Sequence, residues 1–209
     1  MKKVINCLNE DNPVINKKLR KVSVDEGLKI AEELLNILSE RKDGIGLAAN
    51  QIGYDARVAV VNIREPLILI NPVIIEQWDE IDYYEGCLSF PKKGIHTKRY
   101  KNVIIQTEQE ESGWYFSGVE TSSEGKGTWE REGKKHDNEQ RLLESVCIQH
   151  EIDHLNGVTI MDREYKLKPI RVKKGWGRNE IVGITDGKTY KEIKYKKAKP
   201  LIDSGKWEI

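Results

Sequence analysis

The chain has 209 residues, 35 Lys plus Arg against 34 Asp plus Glu, and is 38% hydrophobic and 33% charged. That length supports one full core plus an appendage, no apolar run is long enough to span a membrane, and the start Met1-Lys2-Lys3-Val4-Ile5-Asn6 lacks the apolar stretch of a signal peptide. Three Cys, an odd number without paired spacing, argue against a disulfide framework and for a reducing, cytoplasmic compartment.

Ser23 and Glu26 form a capping box ahead of a helix whose Leu28, Ala31, Leu35 and Leu38 make one apolar face, ending before Asp43-Gly44. The run from Gly44 to Gly53 follows. Its two glycines one residue apart, then small side chains, allow close backbone approach and suit a peptide docking as an added strand. Gln51 offers an uncharged amide donor to a developing oxyanion. The third glycine is misplaced for a dinucleotide site. Val- and Ile-rich strands are predicted over 57–63, 67–70, 73–78 and 102–107, punctuated by Pro66 and Asn71-Pro72. Between the last two lies Glu85-Gly86-Cys87-Leu88-Ser89-Phe90-Pro91, in which Gly86 permits close approach and Pro91 ends a short strand edge. Cys87 reads there either as a functional thiolate or as a small buried hydrophobe, the commoner state of a free Cys.

The segment Gln149-His150-Glu151-Ile152-Asp153-His154 carries the chemistry. Two imidazoles four residues apart on one helix face can converge on a divalent metal, with Glu151 beside them as a base for activated water. Leu142, Leu143, Val146 and Cys147 recur at spacings of three and four and lead into His150 and His154, so the His face continues the apolar stripe. Asp137 or Asn138 caps this helix and Gly157 ends it, for about four or five turns. A catalytic zinc or iron centre takes three protein ligands plus water. No His follows His154, and Glu164 and Glu180 lie in strongly charged surroundings, which leaves Cys87 as the better third ligand. Cys147 competes from the same helix face, but three ligands stacked there span about 10 Å, against a coordination shell of about 2.0–2.3 Å. A helix, several strands, then the metal helix indicate an α+β fold without internal repeats.

The three segments, in this order, resemble those of the peptide deformylase family: Gly44 to Gln51, Glu85 to Ser89 and His150 to His154 match its Gly-x-Gly-x-Ala-Ala-x-Gln, Glu-Gly-Cys-Leu-Ser and His-Glu-x-x-His motifs. The resemblance covers roughly residues 1–165, Asn12-Pro13, Leu19-Arg20 and Arg99 included. It implies that Cys87, His150 and His154 bind the metal, that Glu151 is the general acid and base, and that Gln51 and the Leu88 backbone amide are oxyanion donors. Gly46 would hydrogen-bond the substrate main chain, with Ile45, Leu143, Val146 and Cys147 lining the methionine pocket. The implied metal is Fe²⁺, replaceable by Zn²⁺, Ni²⁺ or Co²⁺, and the implied substrate is an N-formylmethionyl peptide, with formate released. Two departures stand out. The stretch of about 108–139 is longer than the resemblance requires and reads as an inserted hairpin with a mobile loop, either a solvated excursion or a lid or partner-binding element. Residue 92 is Lys where the family often has Gly.

Residues 166–209 read as a separate basic appendage, with 13 Lys plus Arg against 5 Asp plus Glu, a balance of +8 that leaves −7 for residues 1–165. Within it, strands over 181–185 and 189–195 flank Asp186-Gly187, a hairpin signal, and 198–204 suit a helical turn. A basic module carrying Trp176, Tyr190, Tyr195 and Trp207 suits ribosomal RNA, or packs as an electrostatic appendage on the acidic domain. Two rival functions remain in view: a zinc endopeptidase built on His-Glu-x-x-His, in which Gln51 and Cys87 have no place, and a non-catalytic binding module for nascent chains or RNA, which would not need every polar group of a hydrolase.

Overall fold

The computed structural model describes residues 2–41, 43–118, 138–165 and 176–209. The chain packs as two compact units, Met1–Tyr165 and Lys166–Ile209. In the first, helix α1 (Val24–Glu40) precedes strand β1 (Gly46–Ala48), a 3₁₀ turn (Ala49–Ile52), β2 (Val58–Asn62), β3 (Pro66–Ile70), β4 (Val73–Cys87), β5 (Phe90–Thr107), β6 (Glu110–Ser117), α2 (Asn138–Leu155) and the short α3 (Ile160–Arg163). The strands form two antiparallel sheets, β1-β2-β3 and β4-β5-β6. The α+β expectation holds.

Helix α1 starts where predicted, but only half of the capping box forms. Ser23 Oγ accepts from the Glu26 N–H, while the Glu26 carboxylate turns to Arg20. The buried stripe is Gly27, Ile30, Ala31, Leu34, Ile37 and Leu38, and Leu28 stands 42% exposed, so the predicted leucine face is rotated. Both spacings satisfy a period of 3.6, and Gly27 decides between them. A Cβ there would come within 2.7 Å of Ile70 Cδ1, so the bare backbone of this turn is what lets α1 settle on β3.

Strands β4 and β5 run far beyond the predicted 73–78 and 102–107, as a ribbon of 15 and 18 residues. Much of β4 is exposed, so its sequence lacks the apolar alternation that marks a half-buried strand. Cys87 ends β4, Leu88 and Ser89 turn the chain, and Phe90 resumes pairing. Pro91 therefore ends nothing; it opens a bulge. Gly86 pairs with Gly94 and Cys87 with Phe90, which leaves Pro91, Lys92 and Lys93 without partners on β4. Lys92 has φ 63°, the left-handed region that glycine occupies without strain. Lys92→Gly is accordingly expected to raise the melting midpoint by about 2–4 °C, relief of backbone strain outweighing the entropy of an added glycine; a lower midpoint on thermal denaturation would contradict this.

Helix α2 lies in the core. Ile148, Ile152 and Leu155 pack with Leu67 and Leu69 from β3 and Val103 and Ile105 from β5. Every residue from Glu144 to Leu155 is buried, so the single apolar stripe read from the sequence is too narrow. Three of the polar residues on the remaining faces have internal partners. Glu144 pairs with Arg64, Asp153 with Arg99 and Arg163, and the Gln149 amide accepts from Tyr100 N (2.9 Å) and donates to Tyr100 O (2.7 Å). Gly157, φ 75°, ends the helix as expected. The predicted Asp137 cap lies outside the described residues, as do 119–137 of the long stretch after β5, whose first part is β6 paired to β5.

The second unit is a hairpin and a helix. Strands β7 (Ile181–Thr185) and β8 (Tyr190–Lys194) pair antiparallel around Gly187, φ 84°, with Asp186 accepting from the backbone of Lys188 and Thr189. Tyr195, expected in the second strand, instead begins α4 (Tyr195–Asp203), longer than the predicted helical turn. Val182, Ile184 and Ala198 form its core with Trp176 and Trp207 packed on them, so aromatics proposed as binding faces also hold this small unit together. Among the described residues no helix is long and apolar enough to cross a membrane.

Candidate active site

The end of β4 and the C-terminal part of α2 bring Cys87, His150 and His154 together, their ligand atoms all within 4.8 Å of one another. Cys87 Sγ lies 3.2 Å from His154 Nε2. Two such atoms on one tetrahedral ion would stand about 3.5 Å apart, given bonds of about 2.3 Å to sulfur and 2.0–2.1 Å to nitrogen, so the thiol and imidazoles fit a shared divalent cation. The donor set of one soft thiolate and two imidazoles suits iron, zinc, nickel or cobalt and not magnesium or calcium.

Beneath the ligands lies a buried chain of alternating charges. Glu85 Oε2 is 3.2 Å from His150 Nδ1, which orients the ring with Nε2 toward Cys87. Arg99 grips Glu85 through Nε (2.9 Å) and Nη2 (2.6 Å) and reaches Asp153 through Nη1 (2.5 Å), and Arg163 holds Asp153 from the other side. Burial alone would raise the Glu85 pKa, but the hydrogen bond and charge of His150 together with Arg99 hold it at about 2, so this carboxylate stays ionised. Burial, with the charges of His150 and Arg99, pushes His154 well below the ordinary histidine value and keeps it in the neutral form that ligates. For His150, burial is outweighed by hydrogen bonds with Cys87 and Glu85, so its surroundings favour a positive charge at this ring. A divalent cation meets the same demand.

Glu151 projects from α2 into the cleft and is 3% exposed. Burial, reinforced by Glu85 and opposed by the charges of His150 and Arg99, pushes its carboxyl up to about 7. Its Oε2 has no hydrogen-bond partner among the described residues. Gly46 makes room for it, since a Cβ there would collide with Glu151 Oε1 and Cys147 Sγ. Gln51 approaches from the 3₁₀ turn. Its Oε1 accepts from the Ala48 N–H at 2.8 Å, a group that can only donate, which fixes the amide so that Nε2 faces Cys87 Sγ (3.5 Å) and Ser89 Oγ (3.3 Å). Asn50 ties the same turn to the metal helix through His154 O at 2.7 Å.

These groups line a cleft of about 410 Å³. Ile45, Gly46, Leu88, Leu143, Val146 and Cys147 line it together with Gln51, Cys87, His150 and Glu151, while His154 sits behind them at 1% exposure. Every residue expected to ligate the metal, act in catalysis or bind substrate is thus in or directly behind one cleft. The sequence reading overlooked two contributors. Glu85, quoted as part of a motif but given no task, orients His150, and Tyr83 forms part of the wall. Tyr83, Glu85 and Cys87 alternate along β4 and so share one face, a signal that the predicted strand limits hid.

The Polypeptide deformylase family profile matches residues 4–120 and 127–170. A peptide deformylase of Chromobacterium violaceum is 35% identical over 148 residues, 68% of this chain and 74% of its own, and one of Nitrosococcus oceani is 31% identical over 177 residues, 82% and 93%. The crystal structure of a peptide deformylase from Thermotoga maritima superposes with a TM-score of 0.60 at 28% identity, covering 79% of this chain and 99% of that one. That of the Vibrio parahaemolyticus bacteriophage VP16T enzyme in complex with actinonin does so at 0.55 and 28%, covering 75% and 98%. The motifs, the convergence of Cys87, His150 and His154 and these matches agree: the chain belongs to the peptide deformylase family, metal-dependent hydrolases that remove the N-formyl group from nascent polypeptides.

Proposed function

We propose that deformylation in this chain is carried out by Glu151 as general acid and base and by Gln51 Nε2 with the Leu88 amide as oxyanion donors, around a metal held by Cys87, His150 and His154. The observation that carries the reading is the fixed Gln51 amide, a donor locked by Ala48 and aimed at the ligand cluster opposite an orphaned Glu151 oxygen. A bound divalent metal supplies the Lewis acid that makes water nucleophilic at neutral pH. Glu151 takes the proton as the formyl carbon is attacked, Gln51 and the Leu88 amide meet the negative charge developing on the formyl oxygen, and Glu151 returns the proton to the leaving amine. The C–N bond breaks, leaving formate and a free amino terminus. Strand β1 is an edge of its sheet, so Gly46 can receive the peptide backbone as an added strand, while Ile45, Leu143, Val146 and Cys147 take the methionine side chain. Fe²⁺, the metal that the family resemblance implies, is the one we assign, with Zn²⁺, Ni²⁺ or Co²⁺ as substitutes that the same thiolate and imidazole donors accept. Formate release from formyl-Met-Ala by anaerobically purified protein of known metal content tests this reading. Within it, Gln51→Leu is expected to lower kcat by about two to three orders of magnitude with little change in KM, the signature of a donor used in the transition state. A loss confined to KM would make Gln51 a positioning group.

The reading places the enzyme in the cytoplasm, where unpaired thiols persist, and gives the basic second unit a role in docking on ribosomal RNA. Deleting residues from Lys166 onward should weaken ribosome co-sedimentation in a salt-dependent way and leave turnover of a short formylated peptide intact. Unfolding of the truncated chain would instead assign the unit to stability.

A further inference from the structure

A second cleft, of about 430 Å³, lies in the first unit away from the ligand cluster, where the segment before α1, the start of β4 and the end of α2 meet. Its polar wall is basic: Lys18, Lys21 and Arg57. Arg57 is buried at 7% exposure, and its guanidinium donates only to neutral oxygens, Leu155 O (3.0 Å), Asn156 Oδ1 (2.8 Å) and Pro72 O (2.9 Å). Among the described residues it has no carboxylate partner, although buried charges are normally paired. Its neighbours differ. Lys17 pairs with Asp55 and Arg20 with Glu26, whereas Lys18 has no ion pair among the described residues and Lys21 meets Glu108 only at 3.7 Å, with both side chains more than half exposed. That exposed pair is weak and does not neutralise the cleft. The other walls are apolar, with Leu19, Ile74 and Ile152 facing the same space.

We propose that this cleft binds a small organic carboxylate with an apolar body, its head group at Lys18, Lys21 and Arg57 and its chain against Leu19, Ile74 and Ile152. A planar carboxylate matches the remaining edge of a guanidinium whose other donors are already committed, and the two exposed lysines complete the charge without burying a second anion. The volume lies in the range of small-molecule sites. A bare inorganic anion would use the cations and leave the apolar wall wet; a neutral or cationic amphiphile would fill the wall and leave Arg57 uncompensated.

The test uses full-length, metal-loaded protein titrated with sodium octanoate and followed by calorimetry and by methyl shifts of Ile74 and Ile152. Saturable binding that moves those methyls is expected, with octylammonium, octanol and inorganic phosphate at equal concentration failing to displace it. The double variant K18E/K21E changes two exposed side chains, so it should keep its melting midpoint and its turnover of a short formylated peptide while octanoate affinity falls by at least about tenfold. Octanol or octylammonium binding as tightly as octanoate, phosphate displacing it, unchanged affinity in the double variant, or shifts confined to the cleft around Cys87 would each overturn the proposal.

Discussion

Glu151→Gln is expected to retain the metal and lose turnover by at least about a thousandfold, the range set by general acid and base catalysis. Among the described residues the side chain has no ion-pair partner and its Oε2 no hydrogen bond, so the substitution breaks no salt bridge there and keeps the shape of the cleft. An amide also fits beside Gly46 as the carboxylate does. What the variant cannot do is carry a proton, and burial holds the native carboxyl near pKa 7, where taking and returning one at neutral pH are both accessible. Metal analysis and formate release on the same preparation separate the two roles. Near wild-type turnover with full metal content would remove Glu151 from the proton transfers; loss of metal would make it a ligand.

The residues of the site were legible because their chemistry requires particular side chains at short fixed spacings. His150 and His154 lie four apart on a helix whatever else the fold does, and Cys87 and Gln51 sit in short distinctive runs. Their convergence was not legible from periodicity. Gln51 and Cys87 are 36 residues apart and Cys87 and His154 are 67 apart, and only tertiary packing closes those distances. The resemblance to a known family bridged that gap. Where periodicity worked alone it erred in instructive ways. Two leucine registers of α1 were equally periodic, and a glycine packed on Ile70 chose between them. The β4–β5 ribbon was under-read because exposed strand residues need not alternate in polarity. Helix α2 looked one-sided because Glu144, Gln149 and Asp153 are polar, yet each is buried against a partner of its own. Lys92 is the converse case: the departure from the family's glycine marked a position whose backbone is left-handed.

Cys87→Ala is expected to cost the metal and all measurable activity, and Cys147→Ala to leave the metal bound and alter mainly KM. The two thiols are near the same histidines in different ways. Cys87 arrives from the end of β4, so its Sγ closes on His154 Nε2 from the side at 3.2 Å and forms a compact set with both imidazoles. Cys147 sits on α2 itself, one turn before His150, packed against Gly46 in the core beside Ile148 and Ala48. Three donors in a row along one helix cannot converge within a first shell of about 2.0–2.3 Å. Burial, reinforced by the charge of Glu151, also pushes the Cys147 thiol well above its ordinary value, so it stays protonated and uncharged, a poor ligand and an apolar wall. Removing that wall enlarges the space offered to a methionine side chain, which weakens substrate binding while leaving Glu151 and Gln51 in place. Metal content of both variants, with circular dichroism to establish folding and formate release to establish activity, distinguishes the roles. Stoichiometric metal in the Cys87 variant together with metal loss in the Cys147 variant would exchange the two assignments and move the centre of the reaction down the axis of α2.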